Sequence, residues 1–218
     1  MKKSRTFSFK YLLMDIVRIS AIPAFLYFRP KRLYLGKKEK GIFKGGVLVV
    51  SNHISIYDPL HLMFSIPSRR HHAIMAEEFC NTKFKKFFYV TCGKCILISR
   101  NNFGIKSYKT IVNHLTKGEL VTIYPEGKVN KEDNSVKTFK SGCVMMANGA
   151  NVNIVPIYMK PKAHWYSRII HVVGEPIDLK KYITSGDKLS MEDMERVAKD
   201  LTDIENKMKE LAFNYKNK

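Results

Sequence analysis

The tripeptide Ser51-Asn52-His53 follows directly on the apolar run Val47-Leu48-Val49-Val50, and Asp58 stands five positions after the histidine. An imidazole with one ring nitrogen hydrogen-bonded to a carboxylate offers the other nitrogen as a base. The acid fixes the tautomer and stabilises the imidazolium that forms. Residues five apart do not share an ideal helix face, but a turn leading into a helix can fold Asp58 back onto the ring. Asp58-Pro59 reads as a helix start, with Asp58 as N-cap and Pro59 at the first position. For a lone pair of this kind, a helix cap beside a surface or packed histidine is the better explanation, and it is the neighbouring motifs that favour the base. No serine or cysteine is locally obvious as a protein nucleophile, so a base here points to a substrate that brings its own, such as a hydroxyl.

Two further loops supply company for this pair. After "CILIS" come Arg100-Asn101-Asn102, and arginine offers a planar fork that matches phosphate. After "LVTIY" come Glu126-Gly127-Lys128. Gly127 permits a tight turn with exposed backbone N–H groups, and Lys128 adds charge. Downstream, "TFKSGCVMMA" reads as the opening of a helix with Lys140 in its first turn, where an anion is favoured. A base, several cations and apolar surroundings suit a substrate with a hydroxyl, a phosphate and a hydrocarbon tail.

Positioning these loops requires strands that end where they begin. Apolar runs recur at "VLVVS", "HHAIMA", "CILIS", "LVTIY", "NIVPIYM" and "RIIHVVG". Helical patterns separate them at "DPLHLMFSI", "EEFCNTKFKKFFYV", "IKSYKTIVNHLTKG" and "KSGCVMMANGA". Apolar strands alternating with helices predict an α/β fold with a largely parallel or mixed central sheet flanked by helices. In such sheets sites form beyond the carboxyl ends of the strands, which is where the three loops fall. Met194, Val197, Ala198, Leu201, Ile204, Met208 and Leu211 mark one face of a terminal amphipathic helix, which Ser190 and Asp193 cap as a box.

The 218 residues carry a formal net charge of +19. Residues 1–44 alone hold twelve Lys/Arg against two Asp/Glu, around the most apolar helical stretch, Tyr11 to Phe28. Basic flanks on an apolar helix favour an anionic membrane surface over a nucleic-acid groove. Asp15, Arg18 and Pro23 interrupt that stretch. A charge at mid-bilayer costs about 3 kcal/mol, which favours a helix lying in the interface or entering one leaflet. Residues 1–32 are thus expected to form a membrane-associated helix and residues 33–218 the α/β domain. In "KFKKFFYV" the periodicity predicts an amphipathic helix that packs Phe84, Phe87 and Phe88 inward; the alternative is a second lipid contact through Lys83, Lys85 and Lys86. Cys80, Cys92, Cys95 and Cys143 read as reduced thiols in a cytosolic setting. Cys92-Gly93-Lys94-Cys95 has metal or redox spacing but no second pair to complete a zinc site, so its role is expected to be structural. His61, His71 and His72 have no carboxylate at suggestive spacing and are expected to be surface or packing residues.

The ordered set of motifs resembles the glycerophospholipid acyltransferase family, in particular its 1-acylglycerol-3-phosphate acyltransferases. The family's asparagine-histidine, four residues, aspartate block (the His-x4-Asp motif) matches Asn52-His53 through Asp58. Its glycine-to-arginine block resembles Gly93 through Arg100, one residue longer than usual here. Its aromatic-proline-glutamate-glycine block matches Tyr124-Pro125-Glu126-Gly127, and its proline within an apolar strand resembles Val155-Pro156-Ile157. Phe139-Lys140-Ser141-Gly142 fits the family's segment between the last two blocks. Where the family commonly has threonine and arginine after the glycine, this chain has Lys128 and Val129.

The resemblance implies transfer of a fatty acyl group from acyl-CoA or acyl carrier protein to a lysophospholipid hydroxyl, lysophosphatidate giving phosphatidate. It implies His53 as the general base and Asp58 as its orienting acid. Asn52, Arg100, Glu126, Gly127 and Lys128 are implied to bind substrate. Glu126, a carboxylate, is suited to holding Arg100 or a glycerol hydroxyl rather than phosphate. Neither metal nor cofactor is required, because a thiolate is already a good leaving group. The implied location is the cytoplasmic face of a membrane, peripheral or monotopic, with no nucleic-acid partner. Other readings are an acyltransferase for another acceptor, an acyl thioesterase, a catalytically idle peripheral membrane protein, or a basic nucleic-acid-binding module.

Overall fold

The computed structural model describes residues 11–37, 42–99, 104–130, 136–162, 167–185 and 189–215. Seven strands form one sheet: β1 (Lys31–Tyr34), β2 (Val47–Ser51), β3 (His71–Ala76), β4 (Ile96–Ile98), β5 (Leu120–Ile123), β6 (Asn153–Met159) and β7 (Ile170–Val173). Their order is β1-β7-β6-β2-β5-β3-β4, parallel throughout except for the antiparallel pair β6 and β7. The helices are α1 (Leu12–Ser20), α2 (Ile22–Phe28), α3 (Asp58–Ser65), α4 (Lys83–Lys86), α5 (Ile105–Thr116), α6 (Gly142–Ala150) and α7 (Met191–Asn214).

Strand β2 shows why the apolar runs do not alternate. Leu48 and Val50 pack with Ile111 and Leu115 of α5, Val144 of α6 and Leu201 of α7. Val47 and Val49 face the other way, onto Leu62 and Ile66 at α3. All four are 2% exposed or less. A strand covered on both faces needs apolar residues at every position, and each such side chain contributes about 1.5–3 kcal/mol of transfer free energy. Helix α7 starts at the predicted box: the Asp193 N–H donates to Ser190 Oγ, and the Ser190 N–H donates back to Asp193 Oδ2, both at 3.0 Å. Its apolar face is the expected one, with Glu205 added to it at 0% exposure.

The structure departs from expectation in several places. Strand β1 (Lys-Arg-Leu-Tyr) was not evident from hydrophobicity, because it is a half-exposed edge strand whose partner is β7. It also straddles the expected boundary between residues 32 and 33. The segment expected as one amphipathic helix is instead a 3₁₀ turn (Glu77–Cys80), the single turn α4 and a π-helical turn (Phe87–Cys92). Its phenylalanines do not pack inward: Phe84, Phe87 and Phe88 are 75%, 52% and 44% exposed. Helix α6 begins after Ser141, so Lys140 precedes the helix rather than sitting in its first turn. Of the two roles expected for His71 and His72, surface or packing, burial selects packing. The four cysteines are free thiols, and burial pushes Cys95 and Cys143 up to about 12. Among the described residues no helix is long and apolar enough to cross a membrane.

Candidate active site

Strands β2 and β5 lie side by side in parallel, with Val50 opposite Ile123. The residues that follow each strand therefore leave the sheet at the same edge. This register brings the loop carrying His53 next to the loop carrying Tyr124-Pro125-Glu126-Gly127. The two are joined directly: the Asn130 N–H donates to the His53 carbonyl at 2.7 Å. The rings of His53 and Tyr124 stack with centroids 4.2 Å apart and planes inclined by 17°.

His53 Nδ1 lies 2.8 Å from Asp58 Oδ2. The same oxygen accepts the backbone N–H groups of Ile54 at 2.8 Å and Ser55 at 2.9 Å. Asp58 is thus not the helix N-cap that Asp58-Pro59 suggests. Helix α3 begins at Asp58 after Tyr57, and the carboxylate is turned back into the preceding loop. A carboxylate that accepts two amide donors is held rigidly, and the remaining donor it faces is the imidazole Nδ1–H. That fixes the tautomer and leaves Nε2 as the basic nitrogen. Asp58 is fully buried, whereas the His53 side chain keeps 16% exposure. Asp58 Oδ1 and the Tyr124 hydroxyl are buried and take no hydrogen bond among the described residues. Burial, reinforced by the Asp58 charge, pushes the Tyr124 hydroxyl well above the ordinary tyrosine range, so the ring beside His53 stays neutral.

Asn52, expected among the substrate contacts, is turned the other way. Its amide donates to the Met159 carbonyl at 3.0 Å and accepts the Met159 N–H at 2.7 Å. Together with Ser51 Oγ, which donates to the Ile157 carbonyl, it ties the end of β2 to β6. This bracing holds His53 at the sheet edge. His61 on α3 is a packing residue, edge-on to Phe28 at 6.4 Å. Burial, then the nearby Lys162, lowers it to about 4 against the opposing pull of Asp58.

The loop after β5 closes in a tight turn, with the Gly127 N–H donating to the Tyr124 carbonyl at 3.1 Å. Gly127 has φ +74°, a conformation that side chains resist. A β-carbon on Gly127 would lie 3.9 Å from Lys140 Nζ, so Lys140 brings its ammonium to this turn although it lies outside the helix. Lys128 and Gly127 are exposed, and Glu126 is buried. Arg100 lies outside the described residues. Rounding the site are the exposed side chains Ile56, Tyr57 and Leu60.

Two participants, Tyr124 and Glu205, were not picked out from the sequence as site residues, and Lys140 was placed in a different setting. Tyr124 was visible only as part of a motif; its stacking on His53 needs the β2–β5 pairing. Lys140 reads from the sequence as a cation in a helix's first turn, whereas it precedes α6 and reaches the Gly127 turn. Glu205 comes from α7, where burial, then the charge of Glu126, pushes its carboxyl well above the usual carboxylate range. Its signal was present in the spacing, since Leu201, Glu205 and Met208 share one helix face.

A family model described as Acyltransferase matches residues 29–160, which include both loops. Among solved structures, the crystal structure of the 1-acyl-sn-glycerophosphate (LPA) acyltransferase PlsC from Thermotoga maritima has a TM-score of 0.63 and 18% sequence identity. The match covers 94% of this chain and 81% of that one, and it establishes a shared fold.

Proposed function

The chain belongs to the Acyltransferase family, and from that premise we propose that it moves a fatty acyl group from acyl-CoA or acyl carrier protein to the free hydroxyl of lysophosphatidate. The observation that carries this reading is the hydrogen bond between His53 Nδ1 and Asp58, made in a loop that stacks on Tyr124 of the neighbouring motif. In this mechanism His53 Nε2 takes the proton from the acceptor hydroxyl as its oxygen attacks the thioester carbonyl. Asp58 stabilises the imidazolium. The tetrahedral intermediate collapses, the carbon–sulfur bond breaks, and the imidazolium proton goes to the departing thiolate. Base catalysis of this kind contributes roughly 10²–10⁴ in rate.

Lys128 and Lys140, with Arg100, are assigned to the acceptor phosphate, and the open turn at Gly127 lets the headgroup approach the backbone. Glu126 is assigned to holding Arg100 or a glycerol hydroxyl; a buried carboxylate would repel phosphate. Asn52 serves the reaction by bracing His53. Both donors are acidic, which suits a chain of net charge +19.

Residues 1–32 are assigned to docking on the cytoplasmic face of an anionic membrane, with the remainder as the catalytic body. Ile16, Ile19, Ile22 and Leu26 are 51%, 64%, 48% and 66% exposed on α1 and α2. Helix α1 packs against the π-helical turn that exposes Phe87 and Phe88, so the apolar surface is continuous there. An exposed face of this size beside basic residues fits a lipid interface.

The test is thiol release from acyl-CoA and acyl carrier protein with a panel of lysophospholipids, beside a control in which water is the only acceptor. The expected result is release that depends on lysophosphatidate and yields phosphatidate. Equal release in the water control makes the protein a thioesterase. No release with any acceptor rejects the reading.

A further inference from the structure

We propose that His72, His114 and Glu119 form a binding site for one divalent transition-metal ion of the zinc class, at the end of the sheet opposite the His53 loop. Their ligating atoms all lie within 4.8 Å of one another. His72 Nε2 is 3.5 Å and His114 Nδ1 2.5 Å from Glu119 Oε2. The two imidazole rings are 5.1 Å apart between centroids.

Local structure builds this cluster. Strand β5 runs between β2 and β3, with Leu120 opposite His71, so Glu119 arrives beside the start of β3. Helix α5 ends with His114 in its last turn. Gly118, at φ +80°, then reverses the chain, and the Glu119 N–H donates to the His114 carbonyl at 3.2 Å. A residue with a β-carbon resists that backbone conformation, so the glycine is what folds Glu119 back over His114.

The hydrogen-bonding pattern distinguishes a ligand set from an ordinary polar cluster. His72 Nδ1 lies 3.0 Å from the Lys94 carbonyl, which can only accept. Nδ1 therefore carries a proton, and Nε2 is the ring nitrogen turned towards the Glu119 carboxylate, where it can ligate in the neutral ring. His72 Nε2 and Glu119 Oε2 are 3.5 Å apart, a separation that a metal ion bound to both would span. A histidine that donates one N–H to a backbone carbonyl and offers the other nitrogen is the usual outer-shell arrangement of metal sites. Here Lys94 belongs to the Cys92-Gly93-Lys94-Cys95 turn: that sequence holds the imidazole from behind, and its thiols are not members of the cluster.

The geometry is close to what zinc needs. Bonds of about 2.0–2.2 Å in a tetrahedron place ligand atoms roughly 3.3 Å apart. His72 and Glu119 already meet this. His114 must withdraw from Glu119 by about an ångström, which a side chain 26% exposed in a helix's last turn can do. The Tyr11 hydroxyl donates to the other Glu119 oxygen at 2.5 Å and orients the carboxylate. Two imidazoles and one carboxylate leave a position for water and favour Zn²⁺, Co²⁺ or Ni²⁺ over Mg²⁺ or Ca²⁺.

The experiment is a Co²⁺ titration of untagged, chelator-stripped full-length protein, read by the visible absorption of low-coordinate cobalt and by displacement with Zn²⁺. Thermal melts with Zn²⁺ and with Mg²⁺ run alongside. One equivalent of Co²⁺ per chain is expected, displaced by Zn²⁺, with Tm raised by Zn²⁺ and not by Mg²⁺. His114→Ala is expected to weaken binding at least tenfold, and Glu119→Gln to do the same while keeping an acceptor for Tyr11. Cys95→Ser is expected to bind as the wild type does. Uptake of less than one equivalent overturns the proposal. So does wild-type affinity in both His114→Ala and Glu119→Gln, or loss of binding in Cys95→Ser.

Discussion

At the carboxyl edge of the sheet, His53 meets Asp58 five residues later; at the amino edge, His114 meets Glu119, also five residues later. The sequence separation is the same and Nδ1 faces the acid in both. What differs is everything around the acid. Asp58 is fully buried and accepts two backbone N–H groups, so it can do little but hold one imidazole tautomer. Glu119 is partly exposed and is shared among the side chains of Tyr11, just before α1, His72 of β3 and His114 of α5. Burial opposes its charge, yet the hydrogen bonds from His114 and Tyr11 hold its carboxyl down at about 2. A rigid pair beside a neutral aromatic ring suits proton transfer, whereas a carboxylate reached by several elements suits gathering ligands. Spacing alone does not separate the two.

If the carboxyl edge is the rigid one, breaking its acid has the largest effect. Asp58→Asn should lower kcat by about 10²–10⁴, because the amide no longer demands Nδ1–H. Steady-state thiol release measures this, and a loss under threefold would remove the distinction between the edges.

Asn52→Ala should act on stability instead. It leaves the Met159 N–H and carbonyl, both buried, without their partner, at a cost of about 2–4 kcal/mol. Denaturant unfolding reads the loss; an unchanged midpoint would mean that β2 is not braced through Asn52.

Much of this was legible in the chain, and the reasons are physical. Strands β2, β5 and β6 are apolar on both faces, so their hydrophobicity declared them. The His53–Asp58 contact closes within one loop and needs no tertiary information. Strand β1 was hidden because an edge strand carries Lys31 and Arg32 at no cost. The stacking of Tyr124 on His53 depends on which strands are neighbours, and so does the meeting of His72 with Glu119. No spacing rule along the chain encodes either contact.

A smaller effect sharpens the role of the stacked ring. Tyr124→Phe keeps the stack and should leave turnover within about twofold. Tyr124→Ala removes roughly 0.5–1.5 kcal/mol of ring contact and should slow it by up to about tenfold. Equal losses in both variants would assign the role to the hydroxyl instead.

The smallest effect belongs to the amino edge. Arg70 donates to both oxygens of Asp15, at 3.0 and 2.5 Å, and holds α1 on the body. That hydrogen bond, opposed by burial, lowers the Asp15 carboxyl below its ordinary value. A depressed carboxylate stabilises the fold above its unfolded value, about 3.9, and the contribution is lost as pH falls below it. Amide exchange in α1, taken relative to the intrinsic rate at each pH, should therefore quicken below about pH 4 in the wild type. In Asp15→Asn it should be faster at neutral pH and lose that acid dependence, with a partly exposed pair contributing about 1 kcal/mol or less. Wild-type exchange in the variant would mean that α1 is held by apolar contacts alone.

The central claim, that one imidazole activates the acceptor hydroxyl, is tested most directly by His53→Ala in single-turnover thiol release with lysophosphatidate and acyl-CoA. The account predicts a rate lower by about 10²–10⁴ with an unchanged melting temperature. Full wild-type release by that variant would contradict it.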